Sequence, residues 1–259
     1  MKLRKALDLA RSERIHIPEP ACEPDVKNAG CWQKPGENSP NSCPLDPVTA
    51  AKNRGVCLNP NPDEIERYKI LRTRINHMAR QRKMNTIMIT SPNQGEGKTV
   101  TSINMGFTFA RAMNQTALLV DCDFKGQDIH KYLGIYSDTS LIDYFLDDKP
   151  IKDLILWPGV EKLSLISGDR TVHDSTELLS SEMMAQLVEE MGSRYDDRYV
   201  LFDAPPVLEQ SEAISLAPLM DGILMVVESG RTSKTDIRRA LELLPKEKFL
   251  GFVFNKQAA

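Results

Sequence analysis

The stretch "TSPNQGEGKTV", residues 90–100, decides how the rest of the sequence is interpreted. It follows the apolar run "TIMIT" (86–90), a predicted strand, and it leads into a helix predicted from about Lys98 to Met113. Glycines between a strand and a helix let successive backbone N–H groups face an anion at the positive end of the helix. The stretch therefore predicts a phosphate-binding loop, although Pro92 stands where the pattern G-x-x-x-x-G-K-[ST] has its first glycine.

The loop residues have separate expected roles. The ammonium of Lys98 is placed to reach the β- and γ-phosphates of a nucleotide, and the hydroxyl of Thr99 to ligate Mg²⁺. The residues expected to contact the phosphates are Gly95, Glu96, Gly97, Lys98, Thr99 and Val100.

Two acidic signals stand at the carboxyl ends of further predicted strands. "ALLVDCD" (117–123) ends in Asp121 and Asp123, which share one face of a strand because side chains alternate with a period of two. Such a pair can ligate Mg²⁺ or accept a proton from an attacking hydroxyl. "YVLFDAPP" (199–206) places Asp203 after four apolar residues, where an acid can hold a metal-bound water. The predicted Mg²⁺ ligands are Thr99, Asp121 and Asp203.

The order of the predicted elements indicates the fold class. Strands at 162–168, 222–229 and 249–255 join those above, and predicted helices at 63–82, 141–146, 177–191, 212–217 and 234–244 lie before or between them. This alternation predicts an α/β domain over residues 63–259, with a mostly parallel sheet and helices on both faces. Ligands then belong at the carboxyl ends of the strands.

The first 62 residues differ in composition from the rest. Residues 1–15 predict a short basic amphipathic helix, suited to weak membrane attraction, to a partner protein or to solvent. Residues 16–62 hold nine of the sixteen prolines and few large apolar side chains, which predicts a flexible N-terminal linker. "RGVCL" (54–58) is a candidate edge strand near its end.

Composition excludes several other classes of function. A net charge of −3 over 259 residues gives no argument for nucleic-acid binding. The sequence has no apolar run long enough for a membrane span and no apolar signal-peptide core, so a cytoplasmic location is expected. Its five cysteines form no C-x-x-C pair, which favours free thiols over a zinc site.

Three stretches resemble, in order and spacing, the Walker motifs of bacterial tyrosine kinases (BY-kinases), which govern capsule and exopolysaccharide export. They are "SPNQGEGKT", "LLVDCDFKGQDIHKYLG" and "YVLFDAPP". They are similar, more distantly, to the MinD-like partition ATPases of the same deviant-Walker branch of P-loop proteins. In the kinase family the loop often lacks its opening glycine. The resemblance, strongest to the stand-alone kinases, implies ATP and Mg²⁺ as cofactors, protein tyrosines as substrates, and Lys98, Asp121 and Asp123 as catalytic residues.

The resemblance also implies an assembly and a membrane partner. "ERYKILR" (66–72) is similar to the E-x-x-R-x-x-R helix that docks onto a neighbouring subunit, so Glu66, Lys69 and Arg72 are expected at a homo-oligomer interface. Lys69 replaces the middle arginine and cannot offer its bidentate fork. A separate transmembrane activator of the chain-length-determinant (Wzz-like) type is implied. It would hold the kinase at the inner face of the membrane.

The sequence departs from the family pattern at its tyrosines. Many family members carry a tyrosine-rich tail, whereas this sequence ends "FNKQAA". Its six tyrosines fall within or beside predicted elements and are expected to be packed rather than to serve as acceptors. They are Tyr68, Tyr132, Tyr136, Tyr144, Tyr195 and Tyr199.

Two other functions stay open. One is a dimeric ATPase switch of the partition type, which is disfavoured because Asn93 occupies the place of that group's second lysine. The other is a catalytically weak nucleotide-binding scaffold that assembles an export machinery, an alternative that stays open because the sequence lacks a tyrosine-rich tail.

Overall fold

The computed structural model describes residues 41–55, 61–168, 170–172 and 175–257. The helix predicted over residues 1–15 and the linker residues 16–40 lie outside them. Within the described parts of the chain, no helix has the length and apolarity needed to cross a membrane.

A six-stranded parallel sheet forms the centre of the molecule, in the order β3-β2-β4-β1-β5-β6. All of its neighbouring strands are paired in parallel. The strands are β1 (Thr86–Thr90), β2 (Thr116–Asp121), β3 (Leu163–Ile166), β4 (Arg198–Asp203), β5 (Gly222–Glu228) and β6 (Phe249–Asn255). The predicted fold class is confirmed, and every predicted strand from residue 86 onward is present.

Helices precede the sheet and fill its crossovers. They are α1 (Pro47–Lys52), α2 (Pro62–Arg82), α3 (Lys98–Ala110), α4 (Ile129–Leu133), α5 (Leu141–Leu146), α6 (Ile151–Leu154), α7 (Ser175–Leu179), α8 (Glu182–Ser193), α9 (Ser211–Leu216) and α10 (Lys234–Glu242). The helix predicted over 177–191 is two helices, because Ser181 caps a new one by accepting a hydrogen bond from the Met184 amide (3.1 Å).

Apolar side chains alternate between the two faces of the sheet. Met88 and Val120 belong to a hydrophobic cluster on one face. Ile87, Ile89 and Leu119 belong to the cluster on the other. Both faces are buried because helices cover each of them. The strands therefore consist of continuous runs of apolar residues rather than of alternating apolar and polar ones.

Residues 41–55, which composition assigns to the linker, pack against the domain. Backbone amides of Cys43 and Asp46 donate to the carbonyls of Trp157 (3.0 Å) and Leu133 (2.9 Å). Asp46 caps α1, and Ala50 on that helix is 1% exposed. In the candidate edge strand 54–58, residues 54 and 55 end a turn, and 56–58 lie outside the described residues. The division of the chain at 15 and 62 remains a prediction.

Candidate nucleotide-binding and catalytic site

The loop between β1 and α3 has the backbone that the glycines predict. Gly95 (φ +81°) and Gly97 (φ +95°) adopt left-handed conformations that side chains rarely tolerate. A Cβ on Gly97 would lie 2.0 Å from Nδ2 of Asn255, so the position has no room for one. The turn brings the backbone N–H groups at the start of α3 to the carboxyl edge of the sheet.

Pro92 is compatible with this loop because its carbonyl makes the local contact. The amide of Leu208 donates to the Pro92 carbonyl (3.1 Å), and the amide of Val207 donates to the Ser91 carbonyl (2.8 Å). These bonds fix the start of the loop to the segment that leaves β4. A proline keeps its carbonyl, so the absent opening glycine does not disturb them.

Lys98 lies at the centre of an acidic cluster. Its Nζ is 2.6 Å from Oδ2 of Asp123, and both side chains are buried. Burial alone lowers the pKa of Lys98, but the nearby charges of Asp203 and Asp123 outweigh it and the pKa is raised. The ammonium is therefore charged at neutral pH. Asp123 lies in the loop beyond β2, which ends at Asp121 rather than at 123.

Asp121 and Asp203 are paired across β2 and β4. Asp203 accepts a hydrogen bond from Ser102 Oγ (2.9 Å) through Oδ1, while its buried Oδ2 has no hydrogen-bond partner among the described residues. The two oxygens of Asp121 accept from the amides of Asp123 and Ile129, both at 3.2 Å. Burial raises the pKa of both carboxyls, and the charge of Asp203 raises that of Asp121 further.

These donors fit a Mg²⁺ ion that shares its shell with phosphate. Within the described ranges, no group of three or more histidine, cysteine, aspartate or glutamate side chains is arranged to hold a metal alone. Mg²⁺ ordinarily uses one or two carboxylates together with phosphate oxygens and water. The unpartnered oxygen of Asp203, with Thr99 and Asp121 near it in the fold, suits that mode.

A cleft of about 890 Å³ opens over the loop. Its floor is formed by residues 94–100 and by the loop around Asp123 and Lys125. One wall is α2, which contributes Arg67, Tyr68 and Arg74, and the opposite wall is residues 252–257 at the end of β6. A cleft of this size is in the range of pockets that bury a small-molecule ligand.

Side chains far away in sequence hold the loop in place. Glu96 is 4% exposed, and its carboxylate accepts from the Asn93 amide (3.1 Å) and from Thr232 Oγ1 (2.6 Å). Asn255 Nδ2 donates to the Glu96 carbonyl (2.9 Å), and Lys256 Nζ donates to the Gly95 carbonyl (2.7 Å). We call Thr232, Asn255 and Lys256 the loop clamp. No local sequence pattern predicted a role for these three residues.

Lys125 joins the acidic loop to two helices. Its Nζ lies 2.6 Å from Oε1 of Glu212 on α9, and Ser175 Oγ on α7 donates to the same oxygen (2.6 Å). Burial would raise the pKa of Glu212, but the hydrogen bonds from Lys125 and Ser175 outweigh it and the pKa is lowered. The sequence motifs did not predict a role for Glu212, which lies a few residues beyond "YVLFDAPP".

The predicted interface residues occupy different surroundings on α2. Glu66 and Lys69 form an exposed ion pair at 3.3 Å. Arg72 donates to the carbonyl of Thr108 on α3 (2.6 Å), within the same chain. Their place at a subunit interface remains a prediction.

Five of the six tyrosines are buried or half-buried, as expected. Tyr199, for example, stacks on Phe109 with ring centroids 4.3 Å apart. The expectation is wrong for Tyr136, which is 91% exposed. Tyr136 lies in the short connection between α4 and α5, and none of the helices and strands described above packs over its ring.

The parallel sheet, the left-handed glycine turn and the buried lysine among carboxylates define a P-loop nucleotide-binding protein. Residues 84–246 match the family model described as AAA domain. The tyrosine-protein kinase YwqD of Bacillus subtilis (strain 168) is 31% identical over 214 residues, covering 79% of this chain and 89% of YwqD.

Solved structures agree with that match. The BceF tyrosine kinase domain is 27% identical with a TM-score of 0.69, covering 80% of this chain and 86% of that one. The septum site-determining protein MinD of Pyrococcus horikoshii OT3 shares the fold, at 22% identity, a TM-score of 0.53 and coverages of 66% and 69%. This chain belongs to the family of bacterial tyrosine-protein kinases, which confirms the resemblance drawn from the three motifs.

Proposed function

We propose that this chain is an ATP-dependent protein-tyrosine kinase that regulates the chain length and export of a capsule or exopolysaccharide. The observation that carries the kinase proposal is the cleft in which Lys98 lies 2.6 Å from Asp123 beside the glycine turn. It brings together a cation for phosphate and a carboxylate for a hydroxyl proton. The family of the chain supports the same reaction.

The residues of the cleft have separate roles in phosphoryl transfer. The amides of residues 95–100 and the ammonium of Lys98 bind the phosphates and neutralise charge on the transferring group. Asp123 orients the tyrosine hydroxyl and accepts its proton. Thr99, Asp121 and Asp203 would hold Mg²⁺, which supplies further neutralisation of phosphate charge when bound.

Assembly and membrane placement belong to the same proposal. We expect Glu66, Lys69 and Arg72 to contribute to docking between copies of this chain. We also expect a separate transmembrane protein of the chain-length-determinant type to bring the kinase to the inner face of the cell membrane. The family resemblance supports both expectations, and the charged outer face of α2 suits a polar interface.

The kinase reaction is tested with labelled ATP, Mg²⁺ and a random glutamate–tyrosine copolymer, with and without the membrane partner. We expect labelled phosphotyrosine from the native protein and none from Lys98→Met. Lys131→Met is the matched control, because Lys131 is an exposed lysine whose ion pair among the described residues is with Asp128. Steady ATP hydrolysis without phosphotyrosine would instead indicate the partition-type switch.

The polysaccharide role is tested in cells by the length distribution of the polymer. We expect Lys98→Met to alter that distribution as strongly as deletion of the gene. If Lys98→Met leaves the length distribution unchanged while disruption of α2 at Glu66 alters it, the chain acts as a scaffold. This part of the proposal then fails.

A further inference from the structure

Tyr136 differs from the other tyrosines of the chain in its exposure. All six tyrosines lie within the described residues, and Tyr136 is the one whose side chain is open to solvent, at 91%. Tyr68, Tyr132, Tyr144 and Tyr195 are half-buried, and Tyr199 is buried. A hydroxyl must enter a kinase cleft to react. Tyr68 and Tyr132 line the cleft of their own chain and are half-buried there. Among the tyrosines outside the cleft, Tyr136 is the one whose side chain can reach the cleft of another copy without repacking its surroundings.

The backbone around Tyr136 is fixed although its ring is free. Gly134 ends α4 in a left-handed conformation, and the Ile135 amide donates to the His130 carbonyl (2.9 Å). Ile135 itself is 2% exposed. The Tyr136 carbonyl accepts a hydrogen bond from Cys43 Sγ (2.7 Å). The connection therefore presents the ring outward from an anchored position.

This anchoring decides which copy of the kinase can modify the residue. Tyr136 does not line the cleft of its own chain. The bond from Cys43 and the buried side chain of Ile135 hold the segment in its place outside that cleft. The cleft of a second copy has no such obstacle.

We propose that Tyr136 is a phosphorylation site, modified in trans by a second copy of this chain. The inference rests on the kinase activity proposed above and names its acceptor. In the reaction a bond forms between the Tyr136 hydroxyl oxygen and the γ-phosphorus of ATP. The bond from that phosphorus to the β–γ bridging oxygen breaks, ADP leaves, and the hydroxyl proton passes to Asp123 of the copy that acts as kinase.

Charge favours the encounter. Six basic side chains line the cleft against three acidic ones, so its net charge is positive. The basic residues are Arg54, Arg67, Arg74, Lys98, Lys125 and Lys256, and the acidic ones are Glu64, Asp123 and Asp128. Tyr136 is followed two residues later by Asp138, whose side chain is exposed. An acidic neighbour of the acceptor complements a cationic cleft and steers the two copies together.

The test separates the kinase copy from the acceptor copy. A size-tagged Lys98→Met chain, which keeps Tyr136 but lacks the phosphate-binding ammonium, is incubated with native protein, ATP and Mg²⁺, and phosphotyrosine is mapped by mass spectrometry. We expect phosphate on Tyr136 of the tagged chain, and its loss in a tagged chain that also carries Tyr136→Phe. A tagged Lys98→Met chain with Tyr144→Phe is the matched control and should keep the phosphate. Asp123→Asn serves as a second inactive acceptor in case Lys98→Met folds poorly.

The glutamate–tyrosine copolymer distinguishes failure of this inference from failure of the proposed function. Native protein and Tyr136→Phe should phosphorylate the copolymer equally. If the copolymer is labelled while Tyr136 of the tagged chain stays unmodified, the kinase proposal stands and the Tyr136 site is overturned. If neither is labelled, both are overturned.

Discussion

At the scale of single residues, Lys98 and Asp123 form an ion pair that must separate before either residue can take part in catalysis. The 2.6 Å ion pair occupies the ammonium that should bind phosphate and the carboxylate that should accept a proton. ATP binding must therefore break this contact before the contacts of the reaction form. The free energy needed to break the ion pair therefore lowers the observed affinity for ATP.

Replacing Asp123 by asparagine should therefore tighten ATP binding while abolishing tyrosine phosphorylation. A hydrogen bond to a charged group contributes roughly 1.5–3 kcal/mol, so we expect the affinity for ATP to rise about tenfold or more. Binding is measured by calorimetry in EDTA, which keeps Mg²⁺ out of the comparison. Asp128→Asn, which removes an exposed carboxylate from the cleft without touching Lys98, should change affinity much less. Equal or weaker binding by Asp123→Asn would show that the ion pair does not compete with ATP.

Glu212 gives a pH-dependent test at the same scale. Its pKa is lowered in the folded protein, so its contribution to stability is present above its ordinary pKa of 4.5 and is lost as the pH falls through the folded value. Glu212→Gln should cost about 1–2 kcal/mol at pH 7, a modest figure because Lys125 is half-exposed. The difference in the free energy of unfolding between Glu212→Gln and the native protein, measured with urea, should narrow below pH 4.5. Glu242→Gln, at an exposed position on α10, is the matched control and should change the stability at pH 7 little.

At the scale of elements, the edge strand β6 sets the shape of the phosphate loop. Asn255 and Lys256 donate to two carbonyls of the loop, and Thr232 binds the carboxylate of Glu96. The register of β6 beside β5 places Asn255 and Lys256 next to these carbonyls. A change in β6 should therefore reach the nucleotide without any change in the loop sequence.

A double substitution tests this dependence. Gly97→Ala should abolish ATP binding, because its Cβ would lie 2.0 Å from Asn255 Nδ2 and because the residue has a φ of +95°. Adding Asn255→Ala removes the clash but not the backbone strain of roughly 1–2 kcal/mol, so binding should recover in part. Asn255→Ala alone should weaken binding, since the Glu96 carbonyl loses its donor. If the double variant binds no better than Gly97→Ala, the clash with the clamp is not the reason for the glycine.

At the scale of the whole molecule, the segment before α2 is part of the fold. Ala50 on α1 is 1% exposed, whereas Val48 on the same helix is 75% exposed. Ala50→Arg should lower the melting temperature by many degrees, because it places a charge and a long side chain in a packed contact. Val48→Arg should leave the melting temperature nearly unchanged. Equal melting of both variants and the native protein would mean that α1 does not contribute to stability.

Local patterns predicted most of this architecture. The alternation of apolar strands and amphipathic helices, with acids at strand ends, is enough to place the parallel sheet and to gather Lys98, Asp121 and Asp203 at its edge. The loop clamp was not predictable in this way, because Asn255 and Glu96 are 159 residues apart and nothing local links them. Residues 41–55 were misleading because a proline-rich composition predicts a linker, whereas the capped turn at Asp46 and the buried Ala50 bind the segment to the core. Tyr136 was missed because both helices that flank it are short.

The central claim is that this cleft transfers the γ-phosphoryl group of ATP to a tyrosine oxygen. The most direct measurement follows the labelled γ-phosphate of ATP in the presence of Mg²⁺ and separates phosphotyrosine from inorganic phosphate. The account predicts label on tyrosine with the native protein and with Lys131→Met, and none with Lys98→Met. Label found entirely in inorganic phosphate, or phosphotyrosine that persists in Lys98→Met, would contradict it.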